Sequence, residues 1–263
     1  MVKLQTARVL IKIHPMKKPG PKEQALEYYE RAGSAAYALA EERARFIRKT
    51  YTQLAFALLG FVVLEYVLLN LPGIENVVVL MTSGWNWLLV LGLLVLGLFF
   101  VASSVADRWA RSEVSRGTQY AGLVLYVAIE AAIFLPLMVV AANLSDPTLI
   151  PAAALITGTL FAGLTLVAFT TRADFSFLRG VVLVGGLVAL GLIVASILFG
   201  FQLGVIFAVA MVGLAAAAIL YYTSNILKYY RTDQYVAASV TLFASVALMF
   251  YYVLWLLIQL RRG

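Results

Sequence analysis

The chain has 263 residues, of which 63% are hydrophobic and only 13% charged, whereas a soluble domain of this length carries roughly 25% charged residues. Such an apolar excess must be solvated by lipid or buried between helices, so the composition argues against a soluble domain and for an all-α polytopic membrane protein. There is no cysteine to build a disulfide or thiolate site, and the single histidine, His14, lies in a polar tail, which argues against histidine-based metal or triad chemistry within one chain. The formal charge of +7 is placed between apolar stretches, a pattern that suits anionic lipid and topology rather than nucleic acid.

Residues 1–50 form the sizeable polar segment and are expected to be a cytoplasmic tail. Lys3, Arg8, Lys12, Lys17 and Lys18 break up any signal-peptide core at its start. Pro15, Pro19, Gly20 and Pro21 disfavour a helix up to that point. From Glu23 to Thr50, Ala, Glu and Arg dominate, with Leu26, Tyr29, Ala36, Leu39 and Phe46 as a loose apolar stripe, which predicts an amphipathic helix leading into the membrane. Seven spans follow in residues 51–260, near 52–70, 86–105, 119–142, 148–170, 177–199, 202–224 and 235–259. Trp85 and Trp87 lie at one end of the second span and Trp109 just beyond the other, as interfacial anchors do. The fifth and sixth spans are too long together for one crossing and are expected to form a hairpin turning at Gly200 and Gly204.

Positive charge orients these spans. Eighteen of the 20 Lys and Arg residues lie in the tail or in the loops after the second, fourth and sixth spans, which predicts a cytoplasmic N-terminus. Arg261 and Arg262 then fall on the unexpected side, so a re-entrant seventh segment stays open as an alternative. Two acids lie well inside apolar runs, Glu65 in the first span and Glu130 in the third. Carboxylates there are costly and usually face the bundle interior or a wet cavity, so both are candidates for a proton or cation pathway, with structural hydrogen bonding as the plain alternative. Ser and Thr along the fourth, sixth and seventh spans read as interhelical contacts, and Gly158, Gly163, Gly185, Gly186, Gly191 and Gly213 as close-packing positions. No Walker loop, HExxH, GxSxG or dinucleotide fingerprint occurs, so no enzyme activity and no cofactor are expected.

The segments "TGTLFAGLTLVAFTTRADFSFLRG" (157–180) and "YYTSNILKYYRTDQYVAASVTLFAS" (221–245), with "RKTYTQLA" (48–55), resemble the Bax inhibitor (TMBIM) family and, within it, the bacterial YccA-like branch. The family-motif positions are Thr171, Arg172, Asp174, Tyr222, Thr223, Ser224, Asn225 and Ser245. The resemblance implies six helices around a central seventh, in a bacterial inner membrane. Calcium-leak members carry a proton-sharing aspartate pair in the sixth and seventh helices. Tyr222 and Ser245 stand at those positions here, so that gate does not carry over. Resemblance to the YccA-like branch implies modulation of an FtsH-type membrane protease through a cytoplasmic tail. The alternative is a calcium or proton leak channel using Glu130 and Glu65.

Overall fold

The computed structural model describes residues 34–83, 115–144, 146–171 and 173–262. His14, the greater part of the tail, the expected second span at 86–105 with its tryptophans, and Arg172 lie outside the described residues. Within them the chain is all-α. Helix α1 spans Ala40–Leu69, α2 Ile74–Thr82, α3 Arg116–Ala142, α4 Leu149–Thr171, α5 Leu178–Phe199, α6 Val205–Tyr229 and α7 Tyr235–Arg262. Among the described residues six of these are long and apolar enough to cross a membrane; α2, with nine residues, is too short.

The helix boundaries have local causes. Glu41 and Glu42 occupy the first turn of α1, where carboxylates complement the helix dipole. Helix α1 runs without a break from Ala40 into the span. Ser34 to Leu39 are not helical, because the Ala35 N–H donates to Tyr230 O (2.8 Å) and Ser34 bridges antiparallel to Arg231. The Ser115 hydroxyl accepts from the Thr118 N–H and caps α3. Gly200 ends α5 at φ 72°, a conformation that favours glycine, and makes the expected hairpin turn; Gly204 is extended instead. Gly73, at φ 82°, turns α1 into α2.

Side-chain contacts define two ends. At one end, Gln53 of α1 donates to Tyr120 of α3 (2.6 Å), and Arg116 donates to the Asp233 carbonyl in the α6–α7 loop (2.7 Å). Lys49 and Arg116 also lie over the ring of Tyr235, at 5.0 and 4.9 Å from its centroid. Arg43, Arg45, Arg48, Lys49, Arg116, Arg179, Lys228 and Arg231 all belong to this basic end. At the far end, Val78 of α2 packs on Leu135 and Val139 of α3, and Arg261 pairs with Asp146 of the α3–α4 loop (2.5 Å). Helices α1, α3, α5 and α7 therefore run from the basic to the far end, and α4 and α6 return. Helix α7 is unbroken from one end to the other, so the re-entrant alternative finds no interruption to build on.

Helix α7 is the centre of the bundle, touching α1, α3, α4 and α6, whereas α5 packs chiefly on α6. The core is correspondingly rich in α7 side chains: Val236, Ala238, Leu242, Phe243, Met249 and Leu254 are all but inaccessible. Of the glycines expected at close contacts, Gly185 has no room for a side chain against Leu214 of α6, whereas a methyl group added at Gly158, Gly163, Gly191 or Gly213 would meet no neighbouring helix within 4 Å among the described residues.

Candidate functional site

The buried face of α1 repeats with helical period: Phe46, Thr50, Leu54, Ala57, Phe61 and Glu65. Periodicity thus carries Glu65 into the bundle rather than into lipid. It is 2% exposed, and neither carboxylate oxygen has a hydrogen-bond partner among the described residues. Its being unpaired matters, because a carboxylate buried without partners is among the most costly groups a helix bundle can hold.

Glu130 is half-buried on α3 and is not bare. Tyr126, one turn earlier on the same helix, donates its hydroxyl to Glu130 Oε1 at 2.8 Å. This is the i,i+4 arrangement in which helical side chains meet, a spacing the sequence itself carries. Tyr126 also stands edge-on to Phe243 of α7 (centroids 6.0 Å) and within electrostatic reach of Tyr222 of α6.

The two acids do not come together. Between them lies a set of aromatic rings: Phe61 against Phe134 at 5.0 Å, Phe61 against Phe243 at 6.0 Å, and Phe134 against Phe250 and Tyr251 at 5.8 and 5.2 Å. Glu65 follows Phe61 by four residues toward the far end, and Glu130 precedes Phe134 by four toward the basic end. Four residues of α-helix rise about 6 Å. On these parallel helices the carboxylates therefore flank the aromatic septum, one on each side.

The family-motif positions gather at the basic end. The Thr171 hydroxyl donates to its own helix at Val167 O (2.8 Å), and Asp174 Oδ1 accepts the Ser176 N–H (2.9 Å), an Asx turn that starts α5. Lys228 Nζ approaches Asp174 Oδ1 at 3.5 Å, and the Ser224 hydroxyl donates to Ala173 O at 3.4 Å. The Ser176 N–H and hydroxyl, joined by Lys228, hold the Asp174 carboxyl below its ordinary range. Thr223 is 1% exposed and Tyr222 half-buried, its ring 4.9 Å from that of Tyr221. Asn225 sits on the same turn. Ser245 is buried in α7 and donates to Thr241 O at 3.0 Å. Among the described residues no three His, Asp or Glu side chains converge as a metal-ion site would require.

Sequence reasoning missed a polar layer on the basic side of the septum. Tyr51 of α1 meets Thr165 of α4 and Thr223 of α6 with its hydroxyl, its ring 6.4 Å from Phe161 and 6.0 Å from Phe169, while Thr50 is buried beside it and Gln53 turns to Tyr120 of α3. Single threonines in apolar runs carry no mark that separates such a layer from ordinary helix contacts.

A bundle of long apolar helices with acids in its interior defines an integral membrane protein of the multi-pass class. The family model described as "Inhibitor of apoptosis-promoting Bax1" matches residues 43–262, and the chain belongs to this Bax inhibitor family. It is also similar to protein PA2604 of Pseudomonas aeruginosa, itself uncharacterized, with 29% identity over 158 residues; the match covers 59% of this chain and 66% of the relative.

Proposed function

We propose that this Bax inhibitor family member is a non-enzymatic leak pathway for protons or small cations, running through the bundle with Glu130 and Glu65 as its two binding stations. The observation that carries the reading is their placement on opposite sides of the Phe61–Phe134 contact, Glu65 buried with both oxygens unpartnered among the described residues. Ionisable residues facing the interior of a membrane bundle mark ion and proton routes, and an apolar constriction between two stations is how a leak stays small. The parallel course of α1 and α3 supports a seventh crossing between them. The gathering of basic residues at one end supports a cytoplasmic N-terminus in a bacterial inner membrane. The test is flux into liposomes holding the full-length protein: Glu130→Gln and Glu65→Gln should each lower proton or calcium uptake. Wild-type uptake in both variants would remove the reading.

A second reading has its own support. The segment ahead of α1 is fastened to the α6–α7 loop by Ala35 and Ser34, so the tail leaves the protein at the basic end. Such a tail suits YccA-like modulation of an FtsH-type protease on the cytoplasmic side. Co-purification of that protease with the full chain, lost when residues 1–33 are removed, is the expected result. Equal recovery with and without the tail would sink it.

A further inference from the structure

Three basic side chains at the basic end have an acid beside them: Arg45 with Glu41 (3.2 Å), Lys228 with Asp174 (3.5 Å) and Arg231 with Asp233 (3.2 Å). Lys49 of α1 and Arg116 of α3, both exposed, have no acid partner among the described residues, and yet they converge. Both stand over the ring of Tyr235 at the start of α7, 5.0 and 4.9 Å from its centroid. The two charges are therefore no more than about 10 Å apart, within one Debye length at 0.1 M salt, so solvent ions only partly screen their repulsion. A ring face attracts a cation weakly at an exposed site and neutralises neither charge.

The register of the helices places these groups together. Lys49 precedes Gln53 by four residues and Arg116 precedes Tyr120 by four, so each pair shares a helix face. Gln53 donates to the Tyr120 hydroxyl at 2.6 Å, and that hydroxyl also meets Tyr235. On the parallel helices α1 and α3 both cations thus lie one turn, about 6 Å, nearer the basic end than this contact. Their donors are not used up. Arg116 makes its bonds to Gln119 Oε1 (3.2 Å) and to the Asp233 carbonyl (2.7 Å) through Nη1, which leaves Nη2 and Nε. Asp233 offers Arg116 only its carbonyl, because both its carboxylate oxygens accept from Arg231, at 3.2 and 3.4 Å. Lys49 Nζ makes no hydrogen bond among the described residues.

One turn further into the membrane the surface changes character. Phe56 of α1 and Val124 of α3 follow Gln53 and Tyr120 and are each 68% exposed. Two cations with free N–H groups above exposed apolar side chains match one chemistry, a negatively charged phosphodiester carried on acyl chains. The guanidinium fork suits phosphate oxygens and the ammonium adds a point charge. A soluble phosphate would use the cations and gain nothing from Phe56 and Val124.

We infer that Lys49 and Arg116 form a binding site for the phosphodiester headgroup of an anionic phospholipid where α1, α3 and α7 meet, with its acyl chains along Phe56 and Val124. A lipid bound there neutralises the repulsion and ties two outer helices to the central one, so it stabilises the bundle. The site is independent of the leak and of the tail, and neither reading has to hold for it to exist.

The full-length protein in a zwitterionic detergent is mixed with phosphatidylglycerol, with phosphatidylcholine or with inorganic phosphate. Lipid retention is read by native mass spectrometry and stability by the thermal midpoint. Phosphatidylglycerol should stay bound and raise the midpoint, and phosphatidylcholine and inorganic phosphate should do neither. Lys49→Gln or Arg116→Gln should weaken phosphatidylglycerol binding about fivefold, and the two together about thirtyfold. Arg45→Gln with Arg179→Gln removes the same charge from the same end and should leave binding as in the wild type. Should the double glutamine variant fail to fold, Lys49→Arg and Lys49→Gln decide: the arginine keeps the lipid and the glutamine weakens it. Equal losses in the two double variants overturn the site, since charge alone then accounts for binding. A midpoint raised as much by inorganic phosphate overturns the lipid as its occupant. A wild type indifferent to phosphatidylglycerol overturns the inference outright.

Discussion

On the basic side of the Phe61–Phe134 contact, polarity is spread over several neutral side chains from three helices: Thr50, Tyr51, Gln53, Thr165 and Thr223. On the far side it is concentrated in one acid, Glu65, at a level where α1 otherwise offers Leu68 and Leu69 to Val78, Leu135 and Val139. A membrane protein can hold several hydroxyls cheaply, because each has a carbonyl fallback on its own helix. A carboxylate has none. The contrast teaches where to look for function: hydroxyls can meet one another, as Tyr51 meets Thr165 and Thr223, whereas the carboxylate of Glu65 is left without a partner among the described residues.

The septum separating these halves is the most consequential place to cut. Phe243 is fully buried and touches both Phe61 and Tyr126. Phe243→Ala should cost about 3–5 kcal/mol of stability, as deletion of a packed ring does, and should raise leak by joining the polar layer to Glu65. Thermal unfolding in detergent measures the first effect and liposome flux the second. Lower stability with unchanged flux would mean that the rings pack without gating.

Glu65 gives the next largest effect, of opposite sign. Replacing an unpartnered buried acid with a leucine of similar bulk removes a penalty of about 1–3 kcal/mol. Glu65→Leu should therefore raise the unfolding midpoint while abolishing flux. A lower midpoint would show that Glu65 has a structural partner, and the difference between the two halves would shrink.

Much of this was legible in the sequence, for reasons that also set the limit. Hydropathy and length place the ends of α3, α4, α5 and α7 within a few residues, because lipid demands long apolar helices whatever their neighbours. The same demand hides burial. Helix α5 is the most hydropathic of the six long helices and the least covered, while α7 is less hydropathic and the most covered. Lipid and protein interior are both apolar, so hydropathy cannot tell them apart. Glu65 and Glu130 stand out as acids in apolar runs. That they flank a septum depends on the parallel pairing of α1 with α3, a long-range contact no local pattern encodes. Likewise Thr165 and Thr223 look like any other threonine until the Tyr51 hydroxyl is seen beside them.

The basic end has a smaller, surface-level tether whose failure would leave both halves intact. Asp174 starts α5 through Ser176 and approaches Lys228 of α6. Asp174→Asn keeps an acceptor for the Ser176 N–H and loses only the ion pair, worth less than about 1 kcal/mol at such exposure. Asp174→Ala loses the turn as well and should lower the midpoint further. The Asp174 carboxyl is held below its ordinary range. Its contribution is therefore fully present above that range and is lost as pH falls through the depressed value. Equal midpoints for the two variants would assign the whole effect to Lys228.

Arg261 should matter least for stability. It pairs with Asp146 at the far end and is largely exposed. The Asp146 carboxyl is lowered first by the Thr148 hydroxyl and N–H, and only then by Arg261. Removing the arginine therefore leaves the Asx turn that opens α4 in place. Arg261→Ala should leave the unfolding midpoint unchanged at neutral pH, whereas Asp146→Ala should lower it. The same sign applies as for Asp174: the turn's contribution holds above the ordinary carboxylate range and fades as pH falls through the lowered value. The position has a second use, because it marks the end of α7. A single thiol from Arg261→Cys should be labelled from the side opposite to one from Asp233→Cys, and labelling of both from one side would mean that α7 does not cross.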